Sequence, residues 1–211
     1  MRLFTYFRST AAFRVRIALN FKGIAHELVP VHLLRGGGEH RAPDYLRLNP
    51  QGRVPALALD DNTVLMQSLA ILEYLEETHP EPALLPAEPL ARARVRAVAD
   101  IIACDIHPLN NTSVLGYLKS EIGADQAAVD RWYAHWVSSN FTAIEKVIEG
   151  PRFCFGDRPS LADVCLVAQV FNAHRFNVPL DAFPKIVAVN DHCSAIAAFA
   201  AAHPSRQPDA E

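Results

Sequence analysis

The chain opens on an apolar, aromatic run, residues 2–7 (RLFTYF), followed by the polar triplet Arg8-Ser9-Thr10 and then AAFRVRIALNFKG. This order predicts a strand, a turn and a helix. Val15, Ala18, Leu19 and Lys22 fall at helical spacing, Arg14 and Arg16 are expected on the other face, Gly23 is a stop, and Ser9 or Thr10 lies at the N-cap. HELVPVHLL reads as a second strand, Gly36-Gly37-Gly38 as a break, and APDYLRLN as a short helix ending before Pro50. Residues 53–59 (RVPALAL) predict a third strand entered through a proline, Asp60-Asp61-Asn62 a hairpin turn, and TVLM a fourth strand. In SLAILEYLEETHP, Leu69, Leu72 and Leu75 share one face and Glu73, Glu76 and Glu77 turn away, giving an amphipathic helix started by Ser68 and closed by Pro80.

The order β-α-β-α-β-β-α within about 80 residues restricts the topology, because a parallel pair needs a crossover while the last two strands pair through a tight turn. It is the pattern of an α/β thioredoxin-like domain over residues 1–80. Residues 80–89 (PEPALLPAEP) hold four of the fifteen prolines and read as a linker. Strand patterns fade after it, and residues 90–211 are expected to form an all-α domain. Residues 90–119 and 125–149 predict two long helices packed on each other, with Trp132, Trp136, Ala143 and Val147 near one stripe and Tyr133, Val137, Phe141, Ile144 and Ile148 beside it. Ser160-Leu161-Ala162-Asp163 predicts a capping box opening a buried helix to about His174, a last helix covers 184–202, and the tail PSRQPDAE is expected to fray.

Composition narrows the function classes. The 211 residues are 50% hydrophobic, with 20 Lys+Arg against 23 Asp+Glu, and no basic block suited to nucleic acid or an anionic membrane. Lysine is confined to Lys22, Lys119, Lys146 and Lys185, so the positive charge is mostly arginine, which suits bidentate capture of carboxylates, although genomic base composition produces the same bias. Cys104, Cys154, Cys165 and Cys193 are too scattered for a metal site, so no metal is expected. No run approaches a membrane span and the amino terminus lacks the apolar core of a signal peptide, so a cytoplasmic protein with free thiols is expected.

Three places could carry chemistry. Ser9 and Thr10 lie at the positive end of a helix, which suits an anion such as a thiolate, and ordinary N-capping is the competing reading. The protein has no cysteine there, so a thiolate must come from a ligand. A cis Val54-Pro55 bond would turn the Val54 N–H and C=O toward an extended peptide, although X-Pro bonds are mostly trans. The free N–H groups at Gln67-Ser68 could hold an α-carboxylate. Together they describe a site for a small peptide with a carboxylate at one end and a thiol near Ser9.

Longer motifs join these places. Residues 6–19 (YFRSTAAFRVRIAL), Leu48-Asn49-Pro50 with Val54-Pro55-Ala56-Leu57, residues 67–75 (QSLAILEYL), residues 105–115 (DIHPLNNTSVL) and Asn172-Ala173-His174-Arg175-Phe176 together resemble the zeta-class glutathione transferases, the group that includes maleylacetoacetate and maleylpyruvate isomerases. The resemblance runs from about residue 2 to 200. It implies glutathione as cofactor, a homodimer, and a small dicarboxylic keto acid as substrate. Ser9 would support the glutathione thiolate with Thr10 assisting and Ala11 beside them. Val54, with Pro55, would pair with the cysteinyl backbone, Gln67 and Ser68 would hold the γ-glutamyl end, and His40 would lie near the glycyl end. His107, Asn110 and Asn111 would line the helical wall; His40 and His107 could equally be ordinary surface or core histidines. Arg8 and Arg175 are the candidates for anchoring the substrate carboxylates and the developing enolate, and a charge at the C-terminal end of a helix is the competing reading of Arg175.

The resemblance departs at one point: where the family has Ser-Ser-Cys, this chain has Ser9-Thr10-Ala11. The implied reaction survives this change, because glutathione supplies the sulfur that adds to the cis double bond, lets it rotate and leaves from the trans, fumaryl product. Transfer of glutathione to electrophiles such as α-halo acids, and a non-catalytic interaction module, are the alternatives. Retention of Ser9, Val54, Gln67 and Ser68 argues against the module.

Overall fold

Strand β1 (Arg2–Thr5) is flanked on both sides by partners of opposite sense, and the arrangement of the first unit follows from it. In a computed structural model that describes residues 1–211, β1 pairs in parallel with β2 (Glu27–Pro30) and antiparallel with β3 (Ala56–Ala58), which pairs antiparallel with β4 (Val64–Met66). The sheet order is β2-β1-β3-β4, a mixed four-stranded sheet with the thioredoxin-like order expected from the sequence. The parallel β1–β2 pair requires a crossover, supplied by helix α1 (Thr10–Phe21). Helix α2 (Pro43–Leu48) and helix α3 (Ser68–Thr78) complete this half.

Helix α1 is buried from Ala12 through Leu19, arginines included: Arg14 and Arg16 are each 1% exposed. The expectation that they occupy a polar face is thus corrected. The long guanidinium side chains find acceptors inside the unit, which the pattern of apolar positions does not reveal. Lys22, at the end of α1, donates to Glu76 at 2.7 Å, His79 C=O at 2.7 Å and Pro82 C=O at 2.9 Å, pinning α1 to α3 and to the chain beyond it. Gly23, at φ +64°, closes the helix as expected.

The second unit, Leu84–Ala195, is helical. Helix α4 (Pro89–Asp100) runs on into a π-helical turn (Ile101–Ile106), and helix α5 (Thr112–Ser120) begins anew behind Asn111. The single helix expected over 90–119 is therefore broken. Pro108 cannot continue it, and the Asn111 Oδ1 accepts the Ser113 N–H at 3.0 Å to start another. Helix α6 (Gln126–Val147) buries the Tyr133, Val137, Phe141, Ile144 stripe, while Val147 is 54% exposed. Helix α7 (Leu161–Arg175) is buried without interruption from Leu161 to Val170 and packs on α4 and on helix α8 (Pro184–Ser194). Its capping box is formed as the sequence predicts, with the Asp163 carboxylate accepting from the Ser160 N–H at 2.8 Å.

The last predicted helix is two. Behind a break at Ala195-Ile196, helix α9 (Ala197–Ala202) packs on α1, and Ile196–Glu211 belong with Met1–Ala83 rather than with the helical unit drawn as 90–211. The tail expected to fray is held in place. Beyond α9 the chain turns back: Gln207 Nε2 donates to the Ala201 C=O at 3.0 Å and the His203 C=O at 2.9 Å, and Glu211 accepts from Arg35 at 2.7 Å. No helix is long and apolar enough to cross a membrane.

Candidate functional site

Ser9 is the N-cap of α1, at φ −70° and ψ 114°, and its Oγ accepts the Ala12 N–H at 3.2 Å. Capping uses the hydroxyl as an acceptor and leaves its proton to donate elsewhere. No acidic residue lies in the first turn of α1, so the positive end of the helix is not offset. The helix-cap reading of the sequence is thus observed at Ser9. Thr10 is 2% exposed, Ala11 is half-buried next to it, and Arg8 is half-buried with its guanidinium carbon 4.8 Å from the centre of the Phe7 ring.

The Val54–Pro55 peptide is cis, and Val54 is buried. The Val54 N–H and C=O have no hydrogen-bond partner within the chain, since the ladder of β3 begins at Ala56. An unpaired donor and acceptor on one residue at a strand end is the arrangement an extended peptide can complete. Arg53, just before it, is fixed by its carbonyl, which accepts from Tyr45 Oη at 2.6 Å and Asn49 Nδ2 at 2.7 Å. Burial pushes the Tyr45 phenol up to about 12, which keeps it a donor.

Gln67 stands at the head of α3 with φ +69°, a conformation that non-glycine residues adopt rarely. Its carbonyl takes the Ile71 N–H at 3.0 Å, so the amides of Ser68, Leu69 and Ala70 open the helix without a helical acceptor, and no acid lies in that first turn. The Ser68 Oγ accepts from the buried Arg14 at 3.3 Å, which orients the hydroxyl, and the Gln67 amide donates to Gln51 at 2.8 Å. Arg14 and Gln51 are participants that pattern reading missed. The RVR triplet was the available signal, since two arginines within an apolar helix need internal acceptors.

His40 lies in a short 3-10 turn (Glu39–Arg41), its Nδ1 buried without a hydrogen-bond partner. Burial, with Arg41 adding to it, holds its pKa below 6.5, so the ring is neutral at neutral pH. Gly38 packs against it at φ +102°, where any Cβ would collide with the His40 ring.

In the helical unit the sequence candidates have local partners. Asn111 caps α5, Asn110 donates to Tyr133 C=O at 3.3 Å with its Oδ1 buried, and the His107 N–H bonds Ile102 C=O at 3.0 Å across the π-helical turn. Arg175 is exposed at the C-terminus of α7, its guanidinium carbon 5.1 Å from the Phe176 ring centre, and Phe176 stacks on Tyr133 at 3.9 Å. Burial raises the Tyr133 phenol well above its ordinary range, and Arg175 opposes this.

Comparison with known proteins identifies the family. The glutathione S-transferase N-terminal domain profile matches residues 8–78, which contain Ser9, Val54 and Ser68. The chain is 55% identical to the maleylacetoacetate isomerase of Pseudomonas aeruginosa over 209 residues, 99% of this chain and 98% of that protein. It superimposes with a TM-score of 0.96, at 47% identity and over the full length of both chains, on the holo structure of a bacterial zeta-class maleylpyruvate isomerase. A structure of maleylacetoacetate isomerase from Methylobacterium extorquens with bound malonate and glutathione gives a TM-score of 0.94 at 41% identity, again over both full chains. A fold, a set of cap and strand-end features and full-length identity of this order have one reading: the chain belongs to the zeta-class glutathione transferase family.

Proposed function

We propose that this protein is a glutathione-dependent cis–trans isomerase that converts a maleyl keto acid, maleylacetoacetate in the first instance, to its fumaryl isomer. The observation that carries the reading is the set of unsatisfied groups in the first unit: the Ser9 hydroxyl proton at the head of α1, the unpaired Val54 N–H and C=O, and the open amides at the head of α3. They match in turn a thiolate, a peptide backbone and a carboxylate. When bound, glutathione supplies the sulfur nucleophile that makes the cis double bond temporarily single.

The chain's own residues supply the rest. Ser9 Oγ–H and the α1 dipole stabilise a thiolate at neutral pH, with Thr10 and Ala11 beside it. Val54, with Pro55, fixes the cysteinyl backbone, Gln67 and Ser68 hold the γ-glutamyl carboxylate and amine, and the neutral His40 stands toward the glycyl end. Arg8 and Arg175 anchor carboxylates and stabilise the developing enolate. Asn110, Asn111 and His107 shape the helical wall. The dicarboxylate malonate beside glutathione in the Methylobacterium extorquens relative supports a dicarboxylic substrate. Maleylpyruvate is the second substrate, because a relative of that name is 47% identical over its full length. A cytoplasmic homodimer belongs to the same reading, on the family resemblance.

Calorimetry tests the site on which this function rests. Glutathione binds, and cysteinylglycine, which lacks the γ-glutamyl carboxylate, binds at least about tenfold more weakly, the loss of roughly 1.4 kcal/mol of helix-terminus interaction. Equal affinity for the two would contradict the assignment of Gln67 and Ser68.

A further inference from the structure

The Tyr6–Phe7 peptide joins β1 to the helix that carries Ser9, and charged side chains hold both of its polar atoms. The Tyr6 C=O accepts from Arg16 Nη1 at 3.3 Å and from the Ser9 N–H at 2.9 Å. The Phe7 N–H donates to Asp209 Oδ2 at 2.9 Å. Arg16 also donates to the Phe7 C=O at 3.0 Å, Thr5 Oγ1 at 2.9 Å and the Ala202 C=O at 3.1 Å. Its guanidinium is buried, which lowers its pKa to about 10, and the Asp209 carboxylate opposes that shift.

Asp209 reaches this position because the chain after α9 is fixed. Gln207 ties back to Ala201 and His203, the Ser205 N–H donates to His203 Nδ1 at 3.2 Å, and Glu211 meets Arg35 at 2.7 Å and His32 at 3.3 Å. Phe7 is 4% exposed, so its amide has no easy access to solvent if the carboxylate is removed. The Ser9 N–H is bonded to the Tyr6 C=O, so a tilt of the Tyr6–Phe7 peptide moves the N-cap itself.

We propose that Asp209 is a positioning residue for Ser9: its carboxylate holds the Phe7 N–H, and with Arg16 it sets the peptide from which the Ser9 hydroxyl projects. The inference rests on the reading of Ser9 as the thiolate donor and adds to it a residue from the opposite end of the chain. A misplacement of a catalytic hydroxyl by even a fraction of an ångström is costly, up to roughly a hundredfold for 1 Å.

The test reads the thiol pKa of glutathione bound to the full-length protein, from its ultraviolet thiolate absorbance, for Asp209→Ala, Asp209→Asn and Ser9→Gly. Asp209→Ala is expected to lower the thiolate ionisation constant about threefold to tenfold, with kcat falling in step and KM for the keto acid nearly unchanged. Asp209→Asn keeps an oxygen for the Phe7 N–H and is expected to recover most of the loss. An Asp209→Ala protein with the wild-type thiol pKa, while Ser9→Gly raises it, overturns the role of Asp209, as does an Asp209→Asn variant no better than the alanine one. A wild-type thiol pKa in Ser9→Gly would instead overturn the reading of Ser9. Amide hydrogen exchange of the unmodified protein decides independently of whether the variants fold: the Phe7 N–H is expected to be strongly protected, and exchange at the rate of an unstructured amide overturns the proposal.

Discussion

Ser9 accepts the Ala12 N–H to cap α1, and in the proposed function the proton of the same hydroxyl serves a thiolate. The two roles separate by substitution. Ser9→Gly costs a helix N-cap only about a few tenths of a kcal/mol, so thermal stability should change little, while turnover should fall on the order of a hundredfold because the thiolate loses its side-chain donor. Unchanged turnover at unchanged stability would reduce Ser9 to a cap. The structural positions of Ser9, Val54, Gln67 and Ser68, at two helix heads and a strand entrance, were legible because Ser/Thr before a helix, X-Pro at a strand start and Gln-Ser at a helix head are local signals. Arg14, Arg16 and Asp209 were illegible in their roles, since each acts through acceptors or donors distant along the chain: Arg14 on Ser68, Arg16 on Ala202, Asp209 on Phe7.

Elements were legible where their ends carry chemistry. The Ser160–Asp163 box is the clearest case, because both partners sit within one helical turn. Here the carboxylate does more than cap: it accepts the Ser160 N–H at 2.8 Å, the Ser160 hydroxyl at 2.7 Å and the Cys154 N–H at 2.6 Å, tying the preceding loop to α7. Asp163→Ala leaves these donors unpaired in the interior and is expected to destabilise the protein by on the order of 3 kcal/mol, against about 1 kcal/mol for Ser160→Ala. Denaturant unfolding of both variants reads the difference, and equal losses would mean that the Cys154 link contributes nothing. The break between α4 and α5 was missed because helical periodicity continues across it; Pro108 and the Asn111 cap were the signals, and apolar spacing outweighed them. The split of α8 from α9 has no comparable marker, since no proline or glycine stands at Ala195-Ile196.

For the whole molecule, the order of elements was enough to specify the mixed sheet, because a parallel β1–β2 pair and an antiparallel β3–β4 hairpin leave few topologies. The return of Ile196–Glu211 to the first unit was not legible, as alanine-rich α9 reads equally well as the end of a helical domain until its packing on α1 is seen. That return brings the Asp209 carboxylate to the Phe7 N–H, two residues before Ser9, on which the proposed positioning role rests. Residue 11 is alanine, so no protein thiol stands beside Ser9 and Thr10, and the proposed reaction draws its nucleophile from glutathione. The most direct measurement is conversion of maleylacetoacetate to fumarylacetoacetate with and without glutathione, following product and glutathione together. The account predicts many turnovers only when glutathione is present, with its concentration unchanged at the end. Isomerisation that proceeds equally without glutathione, or glutathione consumed one for one with substrate, would contradict it.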